Sequence, residues 1–182
     1  MKTITLFATI TCLVITFTGF AQKGGRNIYN WSLGARMEII GNQDASSIVP
    51  GSSPLFGGAF KFLLDPQKNI EILALSDINT GLDIHGLFAI FNPFPEMPQN
   101  FRYFFGAGAH AGRWTQELIN STKKAYFDAG VDGQLGIEFI GRKIPLALSF
   151  DWHPVYNVVT KKDDTKAFLM RFGLTLKYTY TR

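Results

Sequence analysis

Ala167–Arg182 reads AFLMRFGLTLKYTYTR, and its alternation decides the fold. Every second residue (Phe168, Met170, Phe172, Leu174, Leu176, Tyr178 and Tyr180) is apolar or aromatic. The intervening set, Leu169, Arg171, Gly173, Thr175, Lys177 and Thr179, is small, polar or charged after its first member. Successive side chains of a strand point to opposite faces, so this segment is a strand with one oily and one wet face. A half-buried strand of a soluble protein shares that pattern. Three features favour a membrane strand. The run matches the roughly 9–11 residues that a tilted strand needs to cross the hydrocarbon. Its oily face finishes in two tyrosines, which suit the membrane–water boundary. The sequence then ends within two residues, as expected of a strand that closes a sheet.

The same alternation runs back through the chain. Tyr29 to Ile39, Phe56 to Leu64, Ile70 to Leu75 and Leu82 to Ile90 form four predicted strands. Phe101 to Trp114, Val131 to Phe139 and Ile144 to His153 form three more, and the closing strand is the eighth. Between them, Gly41–Pro54, Thr115–Lys124 and Pro154–Lys166 have loop composition, and Asp65–Asn69, Ser76–Gly81, Asn92–Asn100 and Gly141–Lys143 that of turns. The expected fold is all-β: a closed, antiparallel, up-and-down transmembrane barrel of about eight strands. An even count lets such a meander close with both chain ends on one side, and closure leaves no unpaired edge in lipid. The longer stretches after strands one, five and seven then fall on the outer side, as in outer-membrane barrels.

The first residues, MKTITLFATITCLVITFTGFAQ, carry Lys2, then an uncharged apolar stretch from Ile4 to Phe20, then Gly19-Phe20-Ala21 with small residues at the cleavage positions. This predicts a secretory signal peptide over 1–21 and a barrel domain over 22–182. Its removal takes away Lys2 and leaves 17 Lys and Arg against 14 Asp and Glu, a net charge of +3. That charge is mild and unclustered, which argues against a nucleic-acid partner. Cys12, the only cysteine, lies inside the apolar stretch, so no disulfide is expected to stabilise the exported chain.

The wet face collects Arg36, Glu38, Lys61, Glu71, Arg102, Asp132, Glu138, Asp151, Arg171 and Lys177, with Asp83 among them. An eight-stranded barrel encloses a lumen that side chains can fill. Charges buried there must pair, so a lumenal ion-pair network is expected. On the oily face Tyr29, Trp31, Phe62, Phe101, Tyr103, Phe139, Tyr178 and Tyr180 are expected to form a girdle near the end carrying the termini, with Trp152 near the other.

The same residues also carry fragments of other chemistry. Gly106–Ala111 fits G-x-G-x-x-A, with Asp128 at the spacing of a dinucleotide site. That fingerprint needs a helix beginning on the glycines, and here they continue at period two inside one strand. His85, His110 and His153 lie on the wet face and, with Ser149, Glu138 or Asp151, supply the residue types of a Ser–His–acid set, the second alternative being a lipid-modifying barrel enzyme. Inward residues of any barrel show the same pattern, so no catalytic, cofactor-binding or metal-ligating residue is assigned. The first alternative is a soluble lipocalin-like carrier, whose lumen would be the oily face.

Tyr103–Trp114 (YFFGAGAHAGRW), Gly130–Phe139 (GVDGQLGIEF), Ile144–Pro154 (IPLALSFDWHP) and the final glycine-containing strand resemble the small eight-stranded outer-membrane β-barrel proteins of diderm bacteria, similar in architecture to OmpA/OmpX-type barrels. The resemblance covers nearly the whole chain after residue 21. It implies residence in the outer membrane, with both ends periplasmic, among lipids and lipopolysaccharide. It also implies delivery by periplasmic chaperones and insertion by the barrel-assembly machinery. The implied role is structural or interaction-based, through the outer loops, with a narrow, porin-like passage as a lesser expectation. No cofactor and no catalytic residue is implied. One departure is the carboxyl end: such barrels often finish in an aromatic residue, whereas Tyr180 is followed by Thr181 and Arg182.

Overall fold

A computed structural model of the chain describes residues 29–41, 54–77, 81–98, 100–117, 123–141, 143–160 and 168–180. The expected signal peptide and most of the first long loop lie outside the described residues. Eight strands follow one another: β1 (Trp31–Gly41), β2 (Leu55–Leu63), β3 (Lys68–Ser76), β4 (Gly81–Pro93), β5 (Phe101–Glu117), β6 (Lys123–Ile140), β7 (Leu146–Thr160) and β8 (Phe168–Tyr180). Each pairs antiparallel with its neighbours in sequence, and β1 pairs with β8 from Trp31↔Tyr180 to Gly41↔Met170. The sheet is therefore a closed up-and-down barrel. Closure satisfies every strand's ladder without an edge.

The alternation sets which face is which. On β8, Arg171, Gly173, Thr175, Lys177 and Thr179 are buried, while Phe172, Leu174, Leu176 and Tyr180 are exposed. Leu33, Phe60, Ile72, Ile84, Phe105, Leu135 and Phe150 continue the exposed apolar surface around the barrel. The polar sets point into the bore. This is the inverse of a lipocalin, so the soluble-carrier alternative is overturned: the oily face lies outside and the ionised face inside. No helix among the described residues is long and apolar enough to cross a membrane.

Four local expectations are corrected. Tyr29, expected on the outer girdle, is 2% exposed and lies inside. It precedes the first paired strand, so alternation does not govern it, and its hydroxyl donates to Glu138. Thr115–Lys124 is not all loop: β5 and β6 stay paired from Asp128↔Gly112 out to Glu117↔Lys123, beyond the pairs that β6 makes with β7. A zipped hairpin keeps its ladder in water whatever the polarity of its side chains. Pro154–Lys166 is not all loop either, because β7 runs on through Pro154 to Thr160. The pairing of β6 with β7 shifts register between Ala129 and Gly130, a bulge of the kind that barrels carry near their rims. Lengthened in this way, β7 places Trp152 near mid-strand, opposite Leu135 and Phe172, and not at a rim.

The other girdle residues cluster at the end where β1 begins and β8 finishes. Trp31 pairs with both Phe62 and Tyr180 and stacks on the latter at a centroid distance of 5.0 Å. Phe101 faces Phe139 at 4.8 Å, Tyr103 packs on Phe94, and Tyr178 follows on β8.

Inside, apolar side chains fill what the charges leave. Leu55, Ala59, Leu73, Leu75 and Leu87 form one patch on the β2–β4 wall. Phe91 stacks on Phe104, and Lys61 Nζ sits 4.5 Å from the Phe91 ring centre. Glycines on the inner face make room for the long side chains. A Cβ at Gly173 would strike the Arg36 guanidinium, and one at Gly136 would crowd Asp151 and the Phe104 ring.

Candidate functional site

All ten residues expected in the lumen (Arg36, Glu38, Lys61, Glu71, Arg102, Asp132, Glu138, Asp151, Arg171 and Lys177) are buried. The strands sort them into two connected groups. Taking an ion out of water costs several kcal/mol, so each group is held only by close pairing and hydrogen bonds.

The first group lies toward the end with the aromatic ring and centres on Glu138 of β6. Its Oε2 takes Lys61 Nζ at 3.0 Å and Lys177 Nζ at 3.2 Å. Its Oε1 takes Arg102 Nη2 at 2.6 Å, and the Tyr29 hydroxyl donates at 3.0 Å. Glu71 accepts from Lys177 at 3.3 Å and from Gln134 at 3.3 Å, and lies 3.7 Å from Lys61. Three cations thus face two carboxylates. In a closed ring of eight strands β2 and β6 stand opposite each other, so Lys61–Glu138 spans the bore.

The second group fills the other half. Arg36 makes a two-pronged contact with Asp151, Nη1 to Oδ2 at 2.8 Å and Nη2 to Oδ1 at 2.6 Å. Its Nε donates to Glu38 at 2.7 Å, and Nη1 also donates to Thr175 Oγ1 at 2.8 Å. Such forked arginine–carboxylate pairs fix orientation as well as charge. Arg171 donates to Asp83 at 2.9 Å, again across opposite strands, β8 to β4.

The three histidines join this second group. His85 Nδ1 and His110 Nδ1 lie 2.9 and 2.7 Å from the two oxygens of Asp132, and His153 Nδ1 lies 2.9 Å from Glu38 Oε1. His110 Nε2 contacts Asn157 at 2.9 Å, and Trp114 Nε1 donates to Asp128 near the rim. Among the described residues, the histidine side chains contact carboxylates, Asn157 and Arg171. The Gly106–Ala111 segment is paired on both sides within β5, with no helix following the glycines.

Sequence reasoning placed the histidines on the inner face but did not bring them together. They come from β4, β5 and β7, and only register across the ring makes them neighbours. Of the residues that complete the networks, Gln134 and Thr175 follow from the alternation, whereas Tyr29 was expected outside and Asn157 in a loop.

An apolar exterior, a closed ladder and an ionised, bridged interior define a small barrel of the outer-membrane type. No family model matches the chain, and none of the curated proteins matches it. Among solved structures, the chain is similar to Neisserial surface protein A (NspA), with a TM-score of 0.52 and 10% sequence identity. That match covers 87% of this chain and 100% of that chain. At such identity the likeness is one of fold.

Proposed function

We propose that this chain is an outer-membrane β-barrel protein of the OmpA/OmpX kind, with a structural or interaction role and without general pore activity. The observation that carries this reading is the bore itself: ion pairs run from strand to opposite strand at two levels, inside a wall whose outside is apolar. Water-filled channels need wider barrels, whereas side chains can fill the interior of eight strands. The surface location named for the neisserial barrel supports exposure of one rim at the cell surface. Both chain ends are placed on the periplasmic side, and the β5–β6 hairpin then projects outward beyond its neighbours. Lipids and lipopolysaccharide surround the wall, and the barrel-assembly machinery and periplasmic chaperones serve its biogenesis.

The test is reconstitution in planar lipid bilayers beside loss of the protein from cells. The reading predicts no steady conductance from the folded barrel, together with increased detergent sensitivity or lost surface binding in the deletion strain. A sustained open-channel current would overturn the closed-lumen role.

A further inference from the structure

His85, His153 and Asp132, all buried, place one candidate ligand atom each within 4.8 Å of one another. His85 Nδ1 lies 2.9 Å from Asp132 Oδ2, and His153 Nε2 lies 3.9 Å from that same oxygen. The edge of a tetrahedron built on bonds of about 2.0 Å is roughly 3.3 Å, between those two separations.

The far side of each ring strengthens the case. His153 Nδ1 faces Glu38 Oε1 at 2.9 Å, so its proton belongs there and Nε2 carries the lone pair. That Nε2 is buried and has no hydrogen-bond partner among the described residues. His85 Nε2 faces Asp83 Oδ2 at 3.1 Å and Arg171 Nη1 at 3.3 Å; with its proton directed to the nearer carboxylate, Nδ1 is free to ligate. Metal-binding histidines characteristically hand their second N–H to a carboxylate in this way, which fixes the tautomer and aims the ring. His110 Nδ1 lies 2.7 Å from the other oxygen of Asp132 and orients that carboxylate.

Charge points the same way. Among the described residues, Glu38, Asp83, Asp128, Asp132 and Asp151 are buried in this half against Arg36 and Arg171. The shortfall is three positive charges when the histidines are neutral. The side chains of His85, His110, His153 and Asp132 are all fully buried.

We propose that this half of the lumen binds one divalent transition-metal ion of the zinc class. His85 Nδ1, His153 Nε2 and Asp132 are its ligands, and Glu38 and Asp83 hold the two imidazoles from behind. Nitrogen and oxygen donors of this kind suit zinc, nickel or copper and disfavour magnesium or calcium. Three protein ligands leave a position for water or a small anion. The competing occupant is protons on the same imidazoles.

The experiment uses the folded full-length barrel in detergent, stripped with chelator and titrated with Zn²⁺ against a chromogenic competitor. The expected result is one Zn²⁺ per chain, undisturbed by excess Mg²⁺. His153→Gln and Asp132→Asn should each weaken binding at least about 100-fold, beyond the roughly 10–100-fold that loss of an outer partner costs. A heat-shifted gel band certifies that each variant is folded. Should a variant fail that check, Co²⁺ absorption of the unaltered protein decides: intense visible bands of a four- or five-coordinate site support the proposal, and the weak spectrum of the aqueous ion overturns it. A folded barrel that retains no Zn²⁺, or folded variants that bind as the parent does, overturns it equally.

Discussion

Lys61 and Glu138 meet at 3.0 Å across the full width of the barrel, from strands that stand opposite each other in the ring. The contact ties two walls that are not neighbours in the ring. Glu138 also serves Lys177, Arg102 and Tyr29. Replacing it with leucine leaves three buried cations with Glu71 alone. Breaking a buried pair in this way costs about 3–5 kcal/mol. Glu138→Leu should therefore lower the denaturant midpoint of the folded barrel in detergent or lipid. An unchanged midpoint would count against the network.

Gly173 lies on the inner face of β8 where the Arg36 guanidinium passes, and any Cβ there would strike it. Gly173→Val should push Arg36 out of its forked contact with Asp151. Overpacking of this kind costs roughly 1–3 kcal/mol. Equilibrium unfolding measures the loss, and Gly58→Val, whose Cβ meets only a distant backbone oxygen, is the control expected to change little.

The outer face gives a prediction that separates membrane from water. Leu174 sits at the middle of β8 and is 44% exposed. Facing lipid near the midplane, Leu174→Arg should cost about 2–4 kcal/mol, and Val158→Arg, near the far end of β7, about 0–1 kcal/mol. Refolding into liposomes under denaturant measures both. Equal, small effects would indicate that the face meets water.

At the β2–β3 turn, Asp65 Oδ1 accepts from the backbone N–H groups of Gln67 and Lys68 at 2.7 and 2.8 Å. These bonds, that from Gln67 first, hold the Asp65 carboxyl below its ordinary value. A depressed folded value means that the turn's contribution is present above the unfolded pKa and lost as pH falls through the folded one. The Gln67 and Lys68 amide resonances should report a titration midpoint below that of an ordinary aspartate, and Asp65→Asn should abolish it. A midpoint at the ordinary value would contradict the turn geometry.

Strand number, closure and the inward or outward sense of nearly every strand residue were legible in the sequence, because a period of two is a direct image of the two faces. What escaped was whatever alternation does not encode. Tyr29 precedes the paired strand and folds beneath it. Thr115 to Lys124 has loop composition yet stays partly zipped, since a hairpin's ladder is made by backbone. Pro154 suggests a strand end, yet β7 continues through it to Thr160, with Pro154 opposite Met170 of β8. The meeting of His85, His110 and His153 around Asp132 depends on register and stagger across four strands, which no local spacing reveals.

The most direct test of the central claim is where the protein resides and how it runs on a gel. Cells are separated into inner membrane, outer membrane and periplasm, and the outer-membrane band is run before and after boiling. The account predicts a protein confined to the outer membrane whose mobility shifts on heating, as a closed barrel unfolds. A soluble periplasmic protein, or a membrane band indifferent to boiling, would contradict it.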